Sequence, residues 1–294
     1  MKIPPYRICL SGGGIRGFAH LGVLEALNER GMLKAVREYI GISAGALLAF
    51  CMSIGCTLPE LRRIVLQLDF GLVRDLDPET ALNFPETFGI DTGANLTKFL
   101  LAIIKGKKLS PTCTFAELEA KRLGPSLRVF ATNLNRCRAE EFSAAVSPGI
   151  EICFGVQASM SIPVYFTPLR HPVTSHLYLD GGIMCASPFS YLSQDEKQNT
   201  LNVVFGDAHK PREKIETLFE FLSQVYYSMD FEYSLQQTRG WEKQTICVPC
   251  DGINNSDFEA GPDTKEEIMA AGKQAAEAFL AHPTSPPVRR FSLP

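Results

Sequence analysis

The stretch that decides the fold is Tyr39-Ile40-Gly41-Ile42-Ser43-Ala44-Gly45-Ala46-Leu47-Leu48. A short apolar run ends at Gly41 and a helical pattern starts at about Ala44, so a strand is predicted to hand over almost at once to a helix. One serine stands in that turn, in the pattern Gly-x-Ser-x-Gly. A serine on so sharp a strand-to-helix turn is held in a strained backbone that pushes its hydroxyl outward. Gly41 and Gly45 have no Cβ, so neighbouring backbone can come close. The helix aims its first N–H groups and the positive end of its dipole at the same spot, which favours an oxyanion there. The pentapeptide alone also fits a plain tight turn of small residues, and the rest of the chain has to decide.

Upstream, Arg7-Ile8-Cys9-Leu10 suits a buried strand and leads straight into Ser11-Gly12-Gly13-Gly14-Ile15-Arg16-Gly17. Phe18, Leu21, Leu24, Leu27 and Met32 then recur at helical spacing, with Gly31 as the C-cap. Val36 to Ile42 gives a second strand and Ala44 to Ile54 a second helix. Alternation of this kind predicts an α/β fold, with a mainly parallel central sheet. Gly12, Gly14 and Gly17 also satisfy the dinucleotide-binding spacing Gly-x-Gly-x-x-Gly. That use requires a carboxylate near the end of the second strand to hold a ribose hydroxyl. The strand here ends Ile40-Gly41-Ile42-Ser43 and offers none. The other use of such a loop is to present two or three backbone N–H groups to an oxyanion, with Arg16 adding positive charge nearby. Both glycine motifs then lie at the carboxyl ends of adjacent strands, where open α/β sheets bind ligands.

The chain has 294 residues, enough for a sizeable core, and is 45% hydrophobic and 21% charged, as in ordinary globular proteins. A formal net charge of -3 supplies no basic field for nucleic acid. The longest apolar runs, Ala46 to Ile54 and Phe99 to Ile104, fall well short of the roughly 20 residues of a spanning helix. Ser11 to Gly14 interrupts the only early apolar segment, so no signal peptide is read and a cytoplasmic location, with peripheral membrane contact, is the expectation. The nine cysteines are scattered, with Cys247-Val248-Pro249-Cys250 the lone Cys-x-x-Cys, and are read as reduced core thiols.

Downstream, an amphipathic helix is predicted over Leu58 to Phe70, and Phe84 to Gly89 reads as loop. Leu96 to Lys105 reads as a short apolar helix ending in lysines, either a surface helix over the sheet or a lid that touches lipid. A third strand is read at Leu127 to Leu134, a helix over Gly149 to Met160, and a strand ending Leu177-Tyr178-Leu179-Asp180-Gly181-Gly182. Further strands are read at Leu201 to Phe205 and Thr245 to Val248, a long helix or pair over Arg212 to Gln237, and a last helix opening at Asp263. Asp180 can cap its own turn. It can also answer a need, because a serine nucleophile requires a base. The histidines are His20, His171, His176, His209 and His282; none is at a clear strand end and most are expected to be solvated. In an α/β-hydrolase the chain order would allow His209, but that fold places several strands before its elbow, and only about 40 residues precede Ser43. A Ser-Asp dyad fits better.

Together these blocks resemble the patatin-like phospholipases, bacterial-type members in particular. The glycine loop from Ser11 to Gly17, the elbow from Gly41 to Gly45, and Asp180-Gly181-Gly182 match that family's pattern in order. The run Ala158 to Pro168, and that from Gly252 through Phe258 to the helix after Pro262, are also similar. The resemblance covers about residues 6–281, taken as one patatin-like domain of three α/β/α layers, with a loosely ordered Pro-rich tail at 282–294. It implies a lipid acyl hydrolase without metal or cofactor, with Ser43 as nucleophile, Asp180 as proton acceptor and Gly12, Gly13 and Gly14 as oxyanion loop. One departure is Ala186, where members often carry asparagine; it removes a side chain that could steady the Asp180 loop. The implied substrate is a phospholipid or other acyl lipid, met transiently at a membrane surface. A non-catalytic lipid- or nucleotide-binding module and a His209-dependent esterase are the alternatives. Arg289-Arg290-Phe291-Ser292 has the form of a phosphorylation site.

Overall fold

The computed structural model describes residues 5–68, 80, 82–206, 214–216, 221, 224–225, 238–250 and 261–282. In chain order the first strands are β1 (Arg7–Leu10), β2 (Glu38–Gly41), β3 (Gly89–Asp91), β4 (Ser126–Asn133) and β5 (Arg138–Ser143). They are followed by β6 (Val164–Phe166), β7 (Leu169–Arg170), β8 (Leu177–Leu179), β9 (Thr200–Phe205) and β10 (Thr245–Val248). The principal helices are α1 (Ala19–Glu29), α2 (Ala44–Ser53), α3 (Leu58–Gln67) and α4 (Ala94–Gly106). After them come α5 (Phe115–Lys121), α6 (Ile152–Met160), α7 (Gln194–Gln198) and α8 (Pro262–Ala281).

The central sheet is mostly parallel, in the order β10-β9-β1-β2-β4, with antiparallel strands added beyond β4. Its inner strands β1 and β9 are buried at nearly every residue because both faces are covered. On one face Ile8, Leu10, Tyr39, Val129, Val203 and Ile246 share a core with α1, α2, α6 and α8. On the other, Cys9, Ile40, Ile42 and Phe130 pack under Phe189, Leu192 and Trp241. The three layers of the α/β/α expectation are therefore unequal, the thin one being built in the described residues from the turn Pro188–Tyr191 and the short α7.

Helices α1 and α8 cross at backbone contact. A Cβ on Gly22 would lie 1.8 Å from the Met269 carbonyl oxygen, and one on Gly272 would lie 2.0 Å from that of Ala19. Ion pairs from Arg62 on α3 to Glu25 on α1 (3.0 Å) and to Glu266 on α8 hold the three helices together. At the amino ends of the central strands, Arg7, Glu38, Arg128 and Glu196 form a half-buried chain of ion pairs at 2.6, 2.8 and 3.2 Å.

Observed bounds differ from the sequence reading in physical detail. The helix expected from Gly149 begins at Ile152, because Glu151 bridges to Thr114. Helix α4 turns Leu96, Leu100 and Ile104 into the core, and Thr97 Oγ1 donates to Gln157 Oε1 of α6 at 2.8 Å. Phe99, Leu101 and Ile103 of the same helix are partly buried against that core. The end of the helix read to Phe70, the segment Arg212 to Gln237 apart from a few residues, Gly252 to Phe258, the tail after His282 and the Arg289 to Ser292 pattern lie outside the described residues. None of the nine cysteines forms a disulfide. No helix among the described residues is long and apolar enough to cross a membrane.

Candidate active site

Ser43 sits between β2 and α2 with φ 54° and ψ -123°, a conformation that a non-glycine residue holds only where its surroundings enforce it. The flanking glycines are required. A Cβ on Gly41 would lie 2.4 Å from the Gly45 carbonyl oxygen, and one on Gly45 would lie 2.1 Å from that of Leu10. The Ser43 N–H donates to Ser159 Oγ at 2.9 Å, and the Ser159 hydroxyl donates onward to the Phe130 carbonyl at 2.7 Å. A side chain from α6 therefore fixes the elbow to β4.

The sheet brings Asp180 to this point by an exchange of neighbours along one edge of β4. As far as Val129 that edge is paired with β2, which runs parallel and ends at the elbow. At Thr132 and Asn133, where β5 occupies the other edge, β8 takes over antiparallel. One strand runs up to Ser43 and the other runs down to Asp180, so the two chain ends meet. Ser43 Oγ donates to Asp180 Oδ2 at 2.6 Å, and both residues are nearly buried (9% and 3% exposed). Asp180 also caps its turn, as the local reading allowed: Oδ1 accepts the Gly182 N–H at 2.8 Å. Its own backbone is held at both ends, with N–H donating to Ser161 O (2.7 Å) and C=O accepting from Thr132 Oγ1 (2.8 Å). Gly181 can be nothing larger, because its Cβ would lie 2.3 Å from the Phe130 carbonyl oxygen.

The glycine loop closes over the same pair. A Cβ on Gly12 would be 3.3 Å from Ser43 Cβ, and one on Gly17 would be 2.4 Å from Ala44 Cβ. The Gly12 N–H is donated to the Ala186 carbonyl at 2.8 Å, so the loop after Asp180 holds the glycine loop through a backbone atom that alanine supplies as well as asparagine. Arg16 is buried, with N–H and Nε directed at the Gly13 carbonyl (3.1 and 3.4 Å) and its guanidinium over the Phe205 ring at 5.2 Å.

Beside Ser43 opens an apolar pocket between Gly14, Leu47, Leu68, Leu96, Tyr165 and Phe166. No cluster of His, Cys, Asp and Glu able to hold a metal occurs among the described residues.

The histidines divide. His171 and His176 lie on the β7–β8 hairpin, and His209 lies outside the described residues. His20 is an exception to the expectation that most of the rings are solvated: it is fully buried in α1, where desolvation lowers its pKa to about 4. Ser159, the Ala186 carbonyl and Phe205 were not singled out for these contacts in the sequence. The only signal for Ser159 was its place in the run Ala158 to Pro168.

Elbow, glycine loop and strand-end aspartate thus converge on one buried point at the carboxyl edge of a mostly parallel sheet. The chain belongs to the family that this arrangement suggests: the patatin-like phospholipase family model matches residues 8–193, which include all three motifs. A "Probable lipid hydrolase 463L" of Invertebrate iridescent virus 6 is 31% identical over 176 residues, covering 60% of this chain and 59% of the viral protein. The "Uncharacterized protein YqhO" of Bacillus subtilis is 24% identical over 92% of this chain and 96% of its own. Among solved structures, VipD from Legionella pneumophila has a similar fold, with a TM-score of 0.62 at 18% identity over 95% of this chain and 67% of that one.

Proposed function

We propose that the chain is a lipid acyl hydrolase of phospholipase A or lysophospholipase type that cleaves carboxylic esters through a Ser43–Asp180 dyad. The observation that carries this reading is the 2.6 Å contact of Ser43 Oγ with Asp180 Oδ2 at the wall of an apolar pocket. In the scheme Asp180 accepts the hydroxyl proton as Ser43 Oγ attacks the ester carbonyl carbon. The carbonyl oxygen becomes an oxyanion. Gly12 has its N–H engaged with Ala186, so it anchors the loop while the Gly13 and Gly14 amides take the charge. Collapse of the intermediate breaks the ester C–O bond, and the leaving alcohol takes the proton from Asp180. Water, deprotonated by the same carboxylate, then attacks the acyl-serine and releases the fatty acid. The membership in a phospholipase family and the likeness to a viral lipid hydrolase support lipid esters as the substrate class.

The test is fatty-acid release from phosphatidylcholine vesicles and from lysophosphatidylcholine. The wild-type chain is expected to release fatty acid and Ser43→Ala to release none; full activity in Ser43→Ala would overturn the proposal.

A further inference from the structure

The glycine loop is sandwiched between Ser43 on one side and Phe205 on the other. A Cβ on Gly12 would point at Ser43, whereas one on Gly13 would lie 2.5 Å from the Phe205 ring. Behind the loop stands His20, its ring centroid 4.7 Å from that of Phe205 and its Nε2 2.9 Å from the Ser11 carbonyl oxygen. A carbonyl only accepts, so Nε2 carries the proton and the imidazole is the Nε2–H tautomer. Nδ1 is then a bare acceptor, and it is buried without a hydrogen-bond partner. Leaving a buried polar atom unpaired is unfavourable, and a methionine of similar size would avoid it. What the imidazole supplies at this position is the Nε2–H donor.

The carbonyl it holds belongs to the same peptide plane as the Gly12 N–H. That N–H is itself donated to the Ala186 carbonyl at 2.8 Å, and the Ser11 N–H to the Val203 carbonyl at 3.1 Å. Both ends of the Ser11–Gly12 peptide are therefore clamped. The next two peptides carry the Gly13 and Gly14 N–H groups and run between glycines, whose backbone can rotate at small cost. Their direction follows from the plane from which they start. Burial keeps the ring neutral down to about pH 4, which preserves the one-donor, one-acceptor state that the clamp uses.

We infer that His20 is a positioning residue for the oxyanion loop: by holding the Ser11 carbonyl it keeps the Gly13 and Gly14 amides turned toward Ser43. The inference rests on the ester-hydrolase reading above and adds to it a group that never touches substrate.

The test uses the full chain and a soluble ester, p-nitrophenyl butyrate, with His20→Met, His20→Gln and Ser43→Ala. Glutamine can place an amide N–H where Nε2–H stands, and methionine cannot. His20→Met is expected to lose about 10- to 100-fold in kcat with KM within about twofold of wild type, while His20→Gln stays within about fivefold in kcat. The amide resonances of Gly13 and Gly14 should shift in His20→Met and stay in place in His20→Gln. Unchanged kcat in a folded His20→Met protein would overturn the inference. So would equal losses in the two variants, in step with their thermal midpoints. If wild type and Ser43→Ala hydrolyse the ester alike, it is the dyad reading that falls, and the Gly13 and Gly14 resonances still report on the clamp.

Discussion

Each atom of the candidate dyad has a separate support. Asp180 divides its two oxygens between a turn and a serine, Oδ1 to Gly182 N–H and Oδ2 to Ser43 Oγ. Asp180→Asn keeps the capping oxygen but cannot take a proton at neutral pH. It is expected to fold with a near-normal thermal midpoint and to lose about 100- to 10,000-fold in kcat, the usual contribution of a general base. Ser159 supports Ser43 in another way, since its hydroxyl joins the strained Ser43 N–H to the Phe130 carbonyl. Ser159→Ala leaves both groups buried and unpaired, which costs about 1–3 kcal/mol for each. A fall in both stability and esterase rate is expected, and an unchanged rate would show that the elbow holds its shape unaided. Ser43, Asp180 and the glycines were legible in the sequence because their chemical types and local spacing carry the information. Ser159 and Phe205 were not, because a serine at the end of an apolar helix and a phenylalanine at the end of a strand look like ordinary core. Only the fold shows what they touch.

Among the elements, the strand–loop–helix and strand–elbow–helix units were legible from apolar periodicity, and β1, α1, β2 and α2 lie where it put them. The C-cap read at Gly31 falls one residue earlier, on Arg30, and Gly31 follows it in the left-handed conformation with φ 69°. What periodicity cannot show is which elements touch. Gly22 reads as a weak point in α1, yet it is where the Met269 carbonyl of α8 comes in. Gly22→Ala would put a methyl 1.8 Å from that oxygen. The helices must part, and a loss of about 1–3 kcal/mol is expected as a lower thermal midpoint. A midpoint equal to wild type would mean that α8 is not held against α1 in solution. The short β3 and β6 escaped notice for a related reason. They pair with each other in a separate two-stranded sheet, across 72 intervening residues between Asp91 and Val164, so nothing local marks them.

At the scale of the whole molecule, His20 and Glu140 both contribute to acid sensitivity. His20 has a folded pKa of about 4 against an ordinary 6.5, so the unfolded chain binds its proton more readily. The stability it contributes is complete above about pH 6.5 and is lost as pH falls from there to about 4, roughly 3 kcal/mol in all. Burial pushes Glu140 up, but hydrogen bonds from Tyr178, Asn133, Arg138 and Arg136 outweigh it and hold the carboxyl at about 2. Its contribution is present above about pH 4.5 and fades below. Denaturant midpoints should therefore fall from pH 6.5 downward in wild type and stay flatter between 6.5 and 4 in His20→Met; identical slopes would remove His20 from this account. The mostly parallel sheet was legible in the whole chain and three layers were expected, but the thinness of the third among the described residues was not. It depends on short turns such as Pro188–Tyr191, whose apolar residues have no period to read.

The central claim is that Ser43 is a nucleophile made reactive by Asp180. The most direct measurement is the rate and position of labelling by an alkyl fluorophosphonate, read by intact mass and peptide mapping on wild type, Ser43→Ala and Asp180→Asn. The account expects one label per wild-type chain, on the peptide that carries Ser43. It expects none on Ser43→Ala and a rate at least about 100-fold lower on Asp180→Asn. A label on another residue, or wild-type labelling of Asp180→Asn, would contradict it.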